Sequence, residues 1–287
     1  MVKRGDRYDL PINFALCLNC GHVYTKNVLP DERIIEFYRS SLYRTMYSNG
    51  LTPEEVIKKK APARGGQNHL LTLTKNVLNV NNGIILEWGC GGGWNLVPFR
   101  DAGYQTIGVD LDDAYVQAGS RLNGLNLKQI TDETNLELST INFDVIILNH
   151  VLEHSVDPLR LLISLRELCG PKTYLIVGLP TLESLSKWGF LDYFHIAHLD
   201  FYCQSSFGRL AGKAGFSIIY EEISQGLFVL VPSPIREIKV LRRNVLSSMF
   251  MMFKYWQTYF VKLWLMRLAK ISKTEKVMRL LARWLRK

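Results

Sequence analysis

The chain has 287 residues, 47% of them hydrophobic, which is enough for one sizeable core with additions, and a formal net charge of +9. That charge sits at the end: residues 235–287 hold fourteen Lys/Arg against two Glu, a net of +12 that leaves the rest near −3, so the body is not a basic nucleic-acid binder. Five cysteines make no secreted disulfide framework, the start has no signal-peptide core, and no run reaches the roughly 18 apolar residues of a spanning helix, so a cytoplasmic protein is expected.

In chain order, the first feature is Cys17-Leu18-Asn19-Cys20-Gly21-His22. A structural zinc takes four N or S ligands, and Cys17, Cys20 and His22 offer three; the alternative is two reduced thiols in a small hairpin. Asp31 to Tyr47 reads as helical. Pro53 to Lys60 reads as a helix with Glu54 and Glu55 near its start and three lysines at its end, the order the helix dipole favours. Ala61-Pro62-Ala63-Arg64-Gly65-Gly66 reads as a linker and closes an N-terminal cap over residues 1–62.

From 63 to 232 the pattern alternates. Ile84 to Trp88 is an apolar run ending in Glu87-Trp88 and breaking into Gly89-Cys90-Gly91-Gly92-Gly93, which reads as a buried strand, a tight turn and a helix over Asn95 to Ala102. That helix would aim free backbone N–H groups at whatever the loop holds. Strands follow at Gln105–Asp110, Leu127–Ile130, Phe143–Leu148 and Tyr174–Leu179, with helices at Ala114–Leu122 and Pro158–Cys169. Phe216–Glu222 and Leu227–Val231 read as a closing hairpin. The alternation predicts an α/β fold with a mostly parallel sheet, helices on both faces and ligands at the carboxyl ends of the strands.

A glycine loop followed about twenty residues later by an acid at the next strand's end fits two classes of nucleoside cofactor. A dinucleotide fingerprint needs GxGxxG, but the third position is Trp94; the glycines fall as Gly89-x-Gly91-x-Gly93 behind Glu87. A P-loop fails because no Gly-Lys-Ser/Thr follows. From Gly66 to Pro232 the residues resemble the class I S-adenosylmethionine-dependent methyltransferases, whose first motif is an acid followed by GxGxG. The resemblance implies a Rossmann-like sheet and a cofactor held by Glu87, Gly89, Cys90, Gly91 and Gly93, by Asp110 and Leu111 after the second strand, by Asp132 after the third and by Asn149 after the fourth. The Cys-x-x-Cys-Gly-His stretch resembles the small zinc module of some sugar-directed members, without their second cysteine pair.

Methyl transfer is an in-line displacement, so the enzyme must align a nucleophile and, for a hydroxyl or carbon, remove a proton. His150, Glu153 and His154 occupy i, i+3 and i+4, and a helical turn there would put all three on one side. Members with Glu-x-x-Glu-His, whose first Glu is His150 here, hold a divalent ion. His195 and His198, in the aromatic stretch Asp192 to Tyr202, are equally candidate bases or loop-packing histidines. The acceptor expected is a small molecule, a sugar or lipid-linked sugar of a cell-surface glycan; a quinone-like ring, or a cofactor-binding subunit without activity, are the alternatives. Beyond 233 the chain reads as basic amphipathic helices, with Phe253, Trp256, Phe260, Leu263 and Trp264 opposite Lys254 and Lys262. Such a tail suits an anionic inner membrane face, or packing on the body or on a second subunit.

Overall fold

The computed structural model describes residues 13–26, 28–60, 68–131, 138–184, 193–235, 246 and 248–253. Asp132, Asp192 and the tail beyond Phe253 lie outside the described residues. A seven-stranded sheet organises the chain. Its strands are β3 (Ile84–Trp88), β4 (Gln105–Asp110), β5 (Asn126–Gln129), β6 (Val145–Asn149), β7 (Tyr174–Gly178), β9 (Phe216–Glu222) and β10 (Leu227–Pro232), in the order β5-β4-β3-β6-β7-β10-β9. β5 through β7 are parallel, and β10 runs antiparallel between β7 and β9. The mostly parallel sheet is the one the alternation predicted, and with its terminal antiparallel hairpin it is the Rossmann-like sheet the resemblance implied.

Period-two alternation divides the sheet into two apolar layers. Leu86, Trp88, Ile146 and Leu148 face one layer, with α7 (Pro158–Glu167) and α8 (Gln204–Lys213); Ile85, Val145 and Ile147 face the other. Glu87 and Asn149 follow the second register, so both reach the strand ends on the same face. That face carries α4 (His69–Thr72), α5 (Val97–Asp101) and α6 (Asp113–Asn123). The strand order reverses at β3, where β4 pairs on one side and β6 on the other, and a crevice opens there.

Two local expectations are corrected. The helical stretch 31–47 is two helices, α1 (Asp31–Arg39) and α2 (Leu42–Tyr47), broken at Ser41 with φ +60. Ser41 holds that left-handed turn while its hydroxyl donates to Asp112 Oδ1 at 2.6 Å. The helix placed at Asn95 starts at Val97, because the Asn95 side chain donates to Glu87 Oε1 at 2.6 Å and Pro98 fits a first helical turn. Four amides of the glycine loop are bonded within the protein. Gly89 N and Cys90 N donate to Val109 O, Gly91 N to Asp110 and Gly93 N to Cys90 O.

Two further elements, α3 and β2, join the cap to the body. α3 (Pro53–Lys60) lies against α6, with Ile57 filling the space a Cβ on Gly92 would need, and Arg121 pairs with Glu54 at 2.7 Å. β2 (Val23–Thr25) pairs with β1 (Phe14–Leu16) and with β8 (Asp200–Phe201), which follows the segment after β7, in a separate three-stranded antiparallel sheet. A small core of Val23, Leu182, Tyr193, Phe194 and Phe201 sits beneath it. Among the described residues no helix is long and apolar enough to cross a membrane.

Candidate functional site

The strand ends of β3 and β6 and the cap line a cavity of about 760 Å³. Glu87, Gly89, Cys90 and Asn149 line it from the sheet side, Arg44 and Lys60 from the cap. Gly89 has φ +77, and a Cβ there would run into Val151, so only glycine fits between the loop and the β6 turn. Gly91 is turned toward Arg44 and Trp94, and Gly93 toward Leu125 and Leu127, so these two shape the loop rather than the cavity wall. A second pocket of about 80 Å³ adjoins it, lined by Asp110, Leu111, Ile130 and Val151. Gly89, Arg44, His150 and His154 border both.

Glu87 is buried at 1% exposure, and its Oε2 has no hydrogen-bond partner among the described residues. Burial is the main cause that pushes this carboxyl up to about 8, against the Asn95 hydrogen bond that lowers it. Asp110 is more fully engaged. Its Oδ2 accepts from Gly91 N at 2.6 Å and from Arg44 Nη2 at 2.7 Å, and its Oδ1 accepts from Asp112 N at 2.9 Å. Arg44 also approaches Asp112 Oδ2 at 3.5 Å. The cap thus supplies the cation that lets two buried carboxylates sit side by side.

The histidines gather at the other end, though not on a helical turn. His150 has φ +56, and only Leu152–His154 form a short 3₁₀ turn. The left-handed residue reverses the chain at the end of β6, with His150 N donating to Gly178 O at 2.7 Å. Even so the predicted residues meet: His150 Nδ1 lies 3.2 Å from Glu153 Oε1, and His154 Nε2 lies 4.0 Å from the same oxygen. His154 Nδ1 is 2.7 Å from Ala197 O, and His198 Nδ1 is 2.7 Å from Tyr193 O. A carbonyl only accepts, so the hydrogen-bond network assigns the proton to Nδ1 in both rings and leaves Nε2 with the lone pair.

Burial, with His195 as a further cause for His198, holds His154 below and His198 well below the usual histidine range. Burial would raise Glu153, but the His150 hydrogen bond and His154 outweigh it and keep the carboxyl below its ordinary value. The ligand atoms of Glu153, His154 and His198 lie within 4.8 Å of one another, the one such group of three among the described residues. His195 is 2% exposed, its ring centroid 3.8 Å from that of His198.

Of the expected zinc ligands, His22 Nε2 is bonded to Asp200 Oδ1 at 2.7 Å and Cys17 and Cys20 form no disulfide; among the described residues the three do not converge as one ligand group. Cap residues that sequence reasoning left out of the site, among them Tyr38, Tyr43, Arg44 and Lys60, line the two pockets. The only signal for them was a polar, aromatic-rich helical stretch ahead of the glycine loop, a pattern that equally describes a solvated surface.

A family model described as a methyltransferase domain matches residues 63–221. Over 158 residues the chain is 26% identical to a ubiquinone biosynthesis O-methyltransferase of Nitrosospira multiformis, covering 47% of this chain and 62% of that protein. It therefore spans less than two-thirds of that relative's length. Among solved structures, a 1,6-didemethyltoxoflavin-N1-methyltransferase from Burkholderia thailandensis with bound S-adenosylhomocysteine aligns at 14% identity and a TM-score of 0.47, over 76% of this chain and 96% of that one. A SAM-dependent methyltransferase from Corynebacterium glutamicum aligns at 15% identity and a TM-score of 0.47, over 63% and 95%.

Proposed function

The chain belongs to the methyltransferase-domain family, and on that premise we propose that it transfers a methyl group from S-adenosylmethionine to a hydroxyl of a small molecule, a sugar of a cell-surface glycan being the acceptor class we favour. One observation carries the reading: a single cavity runs from Glu87 and Gly89 to His154 and His198, whose Nε2 atoms hold lone pairs. The residues fit the cofactor. Gly89 borders the cavity without a side chain, Glu87 Oε2 has no hydrogen-bond partner among the described residues, and Asp110 Oδ1 has a lone pair left for a ribose hydroxyl. We assign Gly89, Cys90 and Asn149 to one end of the cofactor and Asp110, Leu111 and Asp132 to the other. When bound, it supplies an electrophilic methyl on a sulfonium.

The chain's own part is alignment and proton removal. A hydroxyl entering between His154 and His198 gives its proton to an Nε2, and the ionised Glu153 beside them steadies the imidazolium that forms. Glu153 is oriented in turn by His150. A sugar hydroxyl is a weaker acid than a phenol, whose pKa is about 10, so it needs this base more than a quinone-like ring would. The ring acceptor stays as the second choice, supported by the name of the Nitrosospira relative.

A second mechanism is favoured by the same cluster. Two imidazoles and a carboxylate with convergent ligand atoms suit a divalent transition metal, which would lower the hydroxyl's pKa instead of a base accepting its proton. Turnover after exhaustive chelation decides between them. Base catalysis survives chelation and drops about 100-fold or more in His154→Gln; the metal mechanism fails on chelation and returns with added zinc or manganese. Binding of S-adenosylmethionine with no transfer to any hydroxyl acceptor would sink both and leave a non-catalytic subunit. The basic residues 235–287 we assign to an anionic membrane surface, supported by the exposed side chains of Leu246 and Phe250; co-sedimentation that ignores lipid charge would remove that assignment.

A further inference from the structure

The aromatic stretch that brings His195 and His198 to the large cavity contributes no aromatic ring to its wall among the described residues. Tyr193, Phe194, Phe201 and Tyr202 are at most 2% exposed and pack in the cores. The rings that do face the cavity beside the histidines come from the cap. Tyr43 and Tyr47 stand at i and i+4 on α2, so they share one helix face, and both line the cavity. Their ring centroids are 6.0 Å apart, and that of Tyr43 lies 5.2 Å from that of His154. The strip therefore begins at the proposed base and runs outward to Tyr47, which is 49% exposed.

The strip is pre-positioned, because Arg44 pairs with Asp110 and Asp112 and the Ser41 hydroxyl donates to Asp112, which fixes α2 over the strand ends. Next in the chain, Ser48 and Asn49 line the same cavity, as does Lys59. An aromatic face rimmed by polar groups suits a pyranose ring, whose C–H atoms lie on the negative π face while its hydroxyls point outward. A quinone-like ring would stack on the same tyrosines but leave the polar rim without partners. We propose that Tyr43 and Tyr47 form the acceptor platform, stacking a hexopyranose by its C–H face so that a hydroxyl on the ring edge reaches Nε2 of His154. The inference rests on the sugar-acceptor reading above. It places acceptor choice in the cap, ahead of the 63–221 family match.

Saturation-transfer NMR on the full chain with S-adenosylhomocysteine bound tests it, irradiating the aromatic ring protons and titrating the methyl pyranosides of glucose, galactose and mannose, and separately hydroquinone. The ring C–H protons of at least one pyranoside should receive saturation. Tyr47→Leu should raise the Kd of that pyranoside about three- to ten-fold, the value of one aromatic contact. Tyr47→Phe keeps the ring and should stay within about two-fold of wild type. Tyr43→Leu should weaken the pyranoside at least as much as Tyr47→Leu, and in all three variants the affinity for S-adenosylhomocysteine, read by calorimetry, should be unchanged. The proposal is overturned if no pyranoside receives saturation, if hydroquinone binds and the pyranosides do not, or if Tyr47→Leu binds them as tightly as wild type. It is equally overturned if the tyrosine variants lose pyranoside and S-adenosylhomocysteine alike, which would make the rings structural. Wild-type protein that binds neither S-adenosylmethionine nor S-adenosylhomocysteine overturns the methyl-donor reading itself.

Discussion

Glu87 illustrates how one residue can be fitted to a ligand and poorly fitted to the fold without one. Its pKa is pushed from the ordinary 4.5 to about 8 by burial, so between those values the folded chain keeps a proton that the unfolded chain has lost. Stability then falls as pH rises through that window, by roughly 1.4 kcal/mol per unit from this group alone. Glu87→Gln removes the dependence. Without cofactor, the variant should gain on the wild type by roughly 3 kcal/mol between pH 4.5 and pH 7, read from urea unfolding at each pH; a constant difference would mean that Glu87 is ionised in the empty fold. His154 and His198 act with the opposite slope. Their depressed values contribute stability above the free histidine value of about 6.5, which is lost as pH falls below it, and the substitution pair isolates Glu87 from that background.

At the scale of elements, α2 matters more than its six residues suggest. Asp110 is 4% exposed, and three of the four lone-pair positions of its carboxylate are taken by Gly91 N, Asp112 N and Arg44. A ribose diol has two hydroxyls, so Arg44 and a fully bound ribose compete for Asp110. Removing Arg44 strands two carboxylates without their cation, a loss of about 3–5 kcal/mol for a buried pair, and frees a lone pair for the ligand. Arg44→Ala should therefore melt lower than wild type when empty and show a larger rise in Tm on saturation with S-adenosylhomocysteine. A rise equal to that of the wild type would mean that Arg44 does not contest the ribose. None of this was legible in the sequence. The strands were, because β3, β4, β6 and β7 are apolar runs closed by Gly89, Asp110, Asn149 and Pro180 in turn, and each of those signals is local. The glycine loop and Asp110 were legible by spacing. Arg44, Tyr38 and Lys60 reach the site only through tertiary packing, and no periodicity carries that. The single helix expected over 31–47 broke at Ser41 for the same reason: the serine is held by Asp112, some 70 residues away.

Across the whole molecule, the histidine end of the cavity depends on the cap as much as on the seven-stranded sheet. Thr25 of β2 donates through its hydroxyl to His198 O at 2.7 Å and through its amide to Leu199 O at 2.8 Å, and Leu199 N donates to Glu153 O at 2.8 Å. Tyr38 of α1 donates to Ala197 O, the carbonyl that also holds His154 Nδ1. One chain of hydrogen bonds thus runs from the cap through the segment after β7 to the turn after β6, and Phe201 anchors it. That ring is fully buried among Phe14, Tyr193 and Phe194, in the small core beneath the three-stranded sheet. Phe201→Ala should cost about 3–5 kcal/mol of stability by the cavity it leaves, and the loss should be local in its consequences. Amide exchange should quicken in β1, β2 and the 193–201 segment while β3 to β6 stay protected. Turnover should fall by more than the affinity for S-adenosylhomocysteine does, because His154 and His198 lose their backing while Glu87, Gly89 and Asp110 keep theirs. If instead turnover and affinity fall in step, with exchange quickened evenly across both sheets, the cap and the body are one cooperative unit and the histidines owe nothing particular to β2.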